Sequence, residues 1–154
     1  MNKAIETINN PRKQLLKIVE DLSLEQLNKI PAGFNNNIIW NMGHLIAAQQ
    51  GICYKRCGLE LRIEEAFFMK YKPDTKPEGF VNQDEVDEIK TLLFSTLQQF
   101  DIDVNDQIFT AYPNFTTRYG VELSSIADAI HFLPMHEGLH IGAIIALKKL
   151  VIGH

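Results

Sequence analysis

Apolar residues recur at helical spacing in four long stretches of the chain, separated by clear punctuation. In the first, Leu15, Ile18, Val19 and Leu22 mark one face of a helix. Asn10 as N-cap and Pro11 at the first helical position predict a start near residue 11, with residues 1–9 extending the helix across a kink at Pro11 as the alternative. Ser23-Leu24-Glu25-Gln26 then spells a capping box for a short helix that must end before Pro31. The second long helix is expected over residues 38–57, entered from Asn35-Asn36-Asn37 and closed by Gly58. Ile38, Ile39, Met42, Leu45, Ile46 and Ile52 cover most of its circumference, which predicts a buried helix.

The third long helix opens with Asn82 as N-cap and Glu85 at the third helical position. Its stripe is Val86, Ile89, Leu93, Leu97 and Phe100, and early Asp84, Asp87 and Glu88 suit the positive end of the helix dipole. The fourth runs from Ser124 or Ser125 to about residue 150, with Lys148 and Lys149 in its last turn. Pro134 lies inside it and deprives the Ile130 carbonyl of its helical donor, so a kink or break is expected there. Residues 109–119, rich in aromatics, Thr, Pro and Asn, read as an irregular loop or a short hairpin. Residues 59–81 are too many for a tight antiparallel turn and form a crossover that lets two successive long helices run parallel. The expected architecture is all-α, a four-helix bundle with one long crossover, occupying residues 1–154 as a single domain.

Composition narrows the partners. The chain has 154 residues, 45% of them hydrophobic and 22% charged, enough for a core without covalent staples. A net charge of -4 supplies no basic footprint for a phosphate backbone, so no nucleic acid is expected. Apolar stretches are interrupted by polar residues, and Asn2, Lys3 and Glu6 follow Met1 where a leader would be apolar. The expectation is therefore a cytoplasmic protein with no membrane association. Cys53 and Cys57 fit a reducing compartment, and their spacing matches neither a redox pair nor half of a zinc site.

The candidate chemistry lies in His136-Glu137-Gly138-Leu139-His140. Two His four residues apart on a helix are separated by only about 40° around its axis, so both imidazoles can reach one metal ion. Ala129, Leu133, Ala143 and Leu147 share that side, which points both rings inward. The string also fits the His-Glu-x-x-His pattern of zinc proteases. That reading lacks a downstream third ligand in the fourteen residues after His140, and it lacks a strand edge for substrate. His131 falls about 140° from His136, as a surface or packing residue, and His154 is terminal. His44 alone reads as a hydrogen-bonded core histidine. Beside an inward His pair on another helix, with Ala47, Ala48 and Gly51 leaving room, it reads as the third ligand. Three imidazoles leave a coordination position open, as in catalytic sites. Glu137 has three open roles: general base, partner to a ligand, or solvent-facing salt-bridge residue.

Trp40-Asn41-Met42-Gly43-His44-Leu45, Lys76-Pro77 after the crossover, and His136 through Gly142 together resemble the DinB/YfiT-like family over essentially the whole chain. The resemblance implies an up-down-down-up four-helix bundle, often a homodimer, holding a divalent metal through positions that match His44, His136 and His140. Many apolar positions on the second helix offer a face for such a dimer. Ala143 departs from the family, where many relatives carry Gln. Three imidazoles suit zinc, nickel or iron foremost, with copper also compatible. The implied function is metal-dependent chemistry on a small molecule, with transfer of a low-molecular-weight thiol preferred by analogy. Hydrolysis by activated water is one alternative, and a non-enzymatic, metal-stabilised stress-response or interaction module is another.

Overall fold

The computed structural model describes residues 1–153. It contains α1 (Lys3–Val19), α2 (Leu24–Asn28), α3 (Ile38–Cys53), α4 (Glu65–Tyr71), α5 (Gln83–Asn105) and α6 (Ile126–Val151). A 3-10 turn, Lys55–Cys57, follows α3, and β1 (Phe115–Thr116) pairs antiparallel with β2 (Glu122–Leu123). The fold is all-α apart from this short hairpin, one of the two forms expected for that loop. His154 lies outside the described residues.

Capping residues start the helices where their chemistry predicts. The side chains of Ser23, Asn37, Asn82 and Ser125 each accept a backbone N–H from the first turn, and Ser23 with Gln26 completes the capping box. The start expected near residue 11 is corrected in favour of the longer alternative, and no break occurs at Pro134. α1 begins at Lys3 under an Asn2 cap and runs unbroken through Pro11, and α6 runs unbroken through Pro134. A proline in a helix interior costs about 3 kcal/mol. Buried Ile5 and Ile8 before Pro11, and Leu15 and Val19 after it, dock both halves of α1 into one core at about 1.5–3 kcal/mol per side chain, which outweighs that cost. α3 is also shorter than expected: it ends at Cys53, and Gly58, in the left-handed region at φ 69°, closes the following 3-10 turn.

Side-chain bonds at the helix ends set the directions. The Asn2 amide donates to Asp101 near the end of α5, while Lys148 at the end of α6 reaches the Ile18 carbonyl and Asp21 beyond α1. Tyr54 after α3 donates to Asp103 late in α5, and His140, just past the middle of α6, meets Asn41 early in α3. Thus α1 and α6 run one way and α3 and α5 the other, the latter pair joined by the crossover. Around the bundle each long helix packs on two others, α1 and α3 both lying between α5 and α6.

All of residues 38–50 are buried, because α2 and α4 cover the side of α3 that the other long helices leave open. α4 was not anticipated within the crossover; its Phe67, Phe68 and Tyr71 are the residues that close over α3. This burial withdraws α3 as the face for a dimer. α6 is the one described helix long and apolar enough to cross a membrane, yet it supplies Ala129, Ile130, Leu133, Ile144 and Leu147 to the core.

The apolar interior falls into two clusters. One gathers Ile5, Ile8, Leu97, Phe100 and Leu133, the other Leu15, Leu45, Leu93, Ile144 and Leu147. Between them along α1 and α6 sit Arg12 and Glu137, fully buried and ion-paired at 2.5 Å. Arg12 also donates to the carbonyls of Leu93 and Leu45, so one guanidinium links all four long helices. Burial pushes the Glu137 carboxyl up, and Arg12 opposes that shift. Removing one partner leaves the other charge buried and unpaired. Arg12→Met is expected to cost about 3–5 kcal/mol in urea unfolding, with most of the loss recovered in Arg12→Met/Glu137→Leu. A single-variant loss below about 1 kcal/mol would show that the pair is dispensable.

Candidate metal centre

α3 places His44 through close packing with α4. A Cβ on Gly43 would stand 2.5 Å from Cδ1 of Tyr71, so only glycine lets that ring lie against the helix. The Tyr71 hydroxyl donates to Glu85 at the start of α5, anchoring α4 from its other side. Its backbone carbonyl then accepts the Nδ1–H of His44 at 2.8 Å. Trp40, one turn earlier, stacks on the His44 ring at 4.8 Å, and its indole N–H donates to Thr75 in the crossover.

α6 brings the other two imidazoles to the same point. Ring centroids lie 5.3 Å apart for His44 and His136, 4.5 Å for His44 and His140, and 4.6 Å for His136 and His140. One ligand atom from each ring falls within 4.8 Å of the others, an arrangement able to hold a metal ion. His140 donates its Nδ1–H to Oδ1 of Asn41 at 2.8 Å, and the Asn41 amide nitrogen donates to the Asn37 carbonyl, which orients the side chain. With Nδ1–H committed outward, His44 and His140 keep their lone pairs on Nε2, as metal-ligating histidines do. The Nδ1 of His136 is buried without a partner.

The electrostatics also suit a cation. Burial pushes His136 down to about 3, helped by the nearby His140 and His44, and pushes His140 down to about 4, helped by His44. Burial lowers His44 as well, against the opposing pull of the Tyr71 carbonyl. Three neutral nitrogen donors, two of them held by hydrogen bonds to their other nitrogens, match the ligand chemistry of a borderline divalent ion.

The triad lines a cleft of about 930 Å³, walled by aromatics including Trp40, Phe68 and Phe132 and by the hairpin residues Phe115 and Arg118. Glu137 is absent from that lining and faces Arg12 inside the bundle, which overturns both the solvent-facing and the general-base roles. His131 is exposed and bonds to the Ala127 carbonyl of its own helix. Cys53 is buried in the core, where burial pushes its thiol up, and Cys57 is half-buried. Ala143 is half-buried and lies outside the cleft lining. Asn41, Tyr71 and Arg118 were not singled out from the sequence. Asn41 stands one helical turn after Asn37 and three residues before His44, a pattern with no chemical signature of its own.

An all-α bundle with a histidine triad opening onto an aromatic cleft defines the class. The sequence matches the family model of the DinB superfamily over residues 8–144, and the chain belongs to that superfamily. It is similar to a conserved protein of Enterococcus faecalis known from a crystal structure, with a TM-score of 0.66 and 12% identity over 98% of this chain and 96% of that one, a likeness of fold. No curated protein matches the chain.

The depressed imidazoles give a pH dependence of definite sign. Their folded values lie below the ordinary 6.5, so the unfolded chain takes up protons first as pH falls. Metal-free protein should be fully stable above about pH 6.5 and lose stability progressively toward pH 4. The double variant His136→Phe/His140→Phe should flatten that part of the urea-midpoint profile; an unchanged slope would assign the loss to other groups.

Proposed function

We propose that this chain is a cytoplasmic metal-dependent enzyme acting on a small molecule, of the thiol S-transferase type. One divalent ion, with zinc, nickel or iron foremost, is held by His44, His136 and His140. The observation that carries this reading is the convergence of three neutral imidazoles on the wall of an open cleft. An ion serving only as a staple has no need of such a cleft. When bound, the ion supplies positive charge that favours the ionised over the neutral form of a thiol near neutral pH.

The chain's own residues do the rest. Tyr71 and Asn41 hold two imidazoles in their ligating tautomer, and Trp40 fixes the plane of His44. Aromatic walls exclude water from one side of the substrate. In the overall step a carbon–sulfur bond forms between the thiol and an electrophile as the bond from that carbon to its leaving group breaks, the leaving group departs with the electron pair, and the thiol proton goes to solvent. Glu137 is committed to Arg12 inside the bundle and is not placed as a base at the triad.

Metal analysis should find about one ion per chain, lost in the His44, His136 and His140 alanine variants and retained in His131→Ala. Asn41→Ala should weaken metal affinity by about 10–100-fold while leaving the fold intact. Metal-dependent conjugation of bacillithiol, glutathione or cysteine to a bimane electrophile, abolished in His140→Ala, would support the enzyme. Turnover of small esters or amides without thiol transfer would move the assignment to hydrolysis, and silence in both assays would favour the metal-stabilised module.

A homodimer belongs to the same reading, with its face moved from α3 to α6. Met135, Leu139, Ile145 and Leu150 are exposed on one side of α6, and Gly138 and Gly142 between them meet nothing within 4 Å. Small residues there let a second helix approach closely. Sedimentation equilibrium should report a dimer that Leu139→Glu converts to monomer. A wild-type monomer at micromolar concentration would remove the claim.

A further inference from the structure

The charged residues of the cleft are unevenly distributed. Lys55, Arg56 and Arg118 line it against a single acid, Asp74, although the chain as a whole carries a net charge of -4. Lys55 is answered by Glu65 at 3.0 Å, and Arg118 meets Asp74 at 3.2 Å in a pair exposed to solvent. An exposed pair of this kind is worth little and exchanges readily for a better partner. Arg56 has no carboxylate partner among the described residues. Its guanidinium lies 3.6 Å above the centre of the Phe115 ring, and its Nε is buried without a hydrogen bond.

That geometry matters for recognition. A guanidinium held over an aromatic ring keeps its charge and its outer N–H groups available to a planar oxyanion, which can accept two bonds from them. Phe115, which carries Arg56, stands three residues before Arg118 in the hairpin, and both arginines line the cleft. Trp40, Phe132 and the triad line the same cleft. A ligand filling this space has an anionic end, an apolar middle and a donor atom at the imidazoles.

We propose that Arg56 and Arg118 form an oxyanion subsite, and that the substrate is a small molecule carrying a carboxylate or phosphate together with its metal-directed group. The inference rests on the metal and thiol reading above for the identity of the second group, and on the hairpin and 3-10 turn for the first. The two arginines are specificity-determining residues: they select and orient the ligand by its charge, and the triad engages its other end.

Three thiol probes test this on cobalt-loaded protein, followed by the thiolate-to-cobalt absorption band: mercaptosuccinate, 2-mercaptoethyl phosphate and the uncharged dimethyl ester of mercaptosuccinate. Wild type should bind at least one anionic probe about tenfold more tightly than the ester, as expected for a hydrogen bond to a charged group. The tighter of the two anions names the carboxylate or the phosphate. In Arg56→Gln/Arg118→Gln the preference should fall to within about twofold, with the ester's Kd unchanged. Equal affinities in wild type, or a preference that survives in the double variant, would overturn the subsite. Should no probe give the band, the thiol reading fails, and the subsite is then read on metal-free protein by calorimetry with succinate. Binding weakened about tenfold in the double variant supports it, and absence of binding in wild type overturns it.

Discussion

The buried pairing of Arg12 with Glu137 is the constraint on which the placement of everything else depends. Two charges taken out of water at mid-bundle are tolerable only if they meet, and the 2.5 Å contact with two further carbonyl bonds meets that demand at one relative position of the helices. Sliding α6 by one residue would turn its side chains by about 100°, strand the carboxylate among apolar groups, and carry His136 and His140 away from His44. The ion pair therefore sets the register of the helix that supplies two thirds of the triad. Purely apolar layers above and below it, being non-directional, would specify that register less sharply.

His44 and His140 are in turn held from outside their own helices. The Tyr71 carbonyl at the end of α4 fixes one and the Asn41 amide on α3 fixes the other, so three elements must be docked before the donor set exists. Gly43 is where these requirements meet: its missing Cβ admits the Tyr71 ring, and that approach brings the carbonyl to the next residue's imidazole. The Gly-His pair thus has a steric meaning, with the glycine making space on one side for the bond made on the other.

Much of this was legible in the sequence, for identifiable reasons. Caps and apolar stripes act locally, so the Asn82 cap and the Val86 to Phe100 stripe read correctly, and the caps Asn37 and Ser125 fall within the Asn35–Asn37 cluster and the Ser124–Ser125 pair expected to start their helices. The inward phase of His136 and His140 followed from helical geometry alone, and the structure brings His44 to them. What local reading missed was decided by tertiary contact. Pro11 sits inside α1 and not at its start, because packing on either side outweighs one lost hydrogen bond. α4 has no side-chain cap and only seven residues, too few to announce itself before docking on α3. Arg12 shows most clearly where the reading ends. An arginine on the first helix looks solvated by default, and nothing within α1 signals that a carboxylate 125 residues away will meet it in the core.

The same distinction explains why His-Glu-x-x-His here is not the zinc-protease device it resembles in letters. In that device the glutamate acts on water beside the metal, so it must share the site with the two histidines. Glu137 is about 100° around the helix from His136, and in this bundle that direction is the core. Its charge is already matched by Arg12 and it lies outside the cleft lining, so it has no access to a reacting water beside the triad. The pentapeptide therefore performs two separate tasks on one helix: the histidines face the cleft, and the glutamate locks the helix that carries them. A motif of this length fixes spacing, but the partners across the bundle decide which side chain faces the cleft and which is buried in the core.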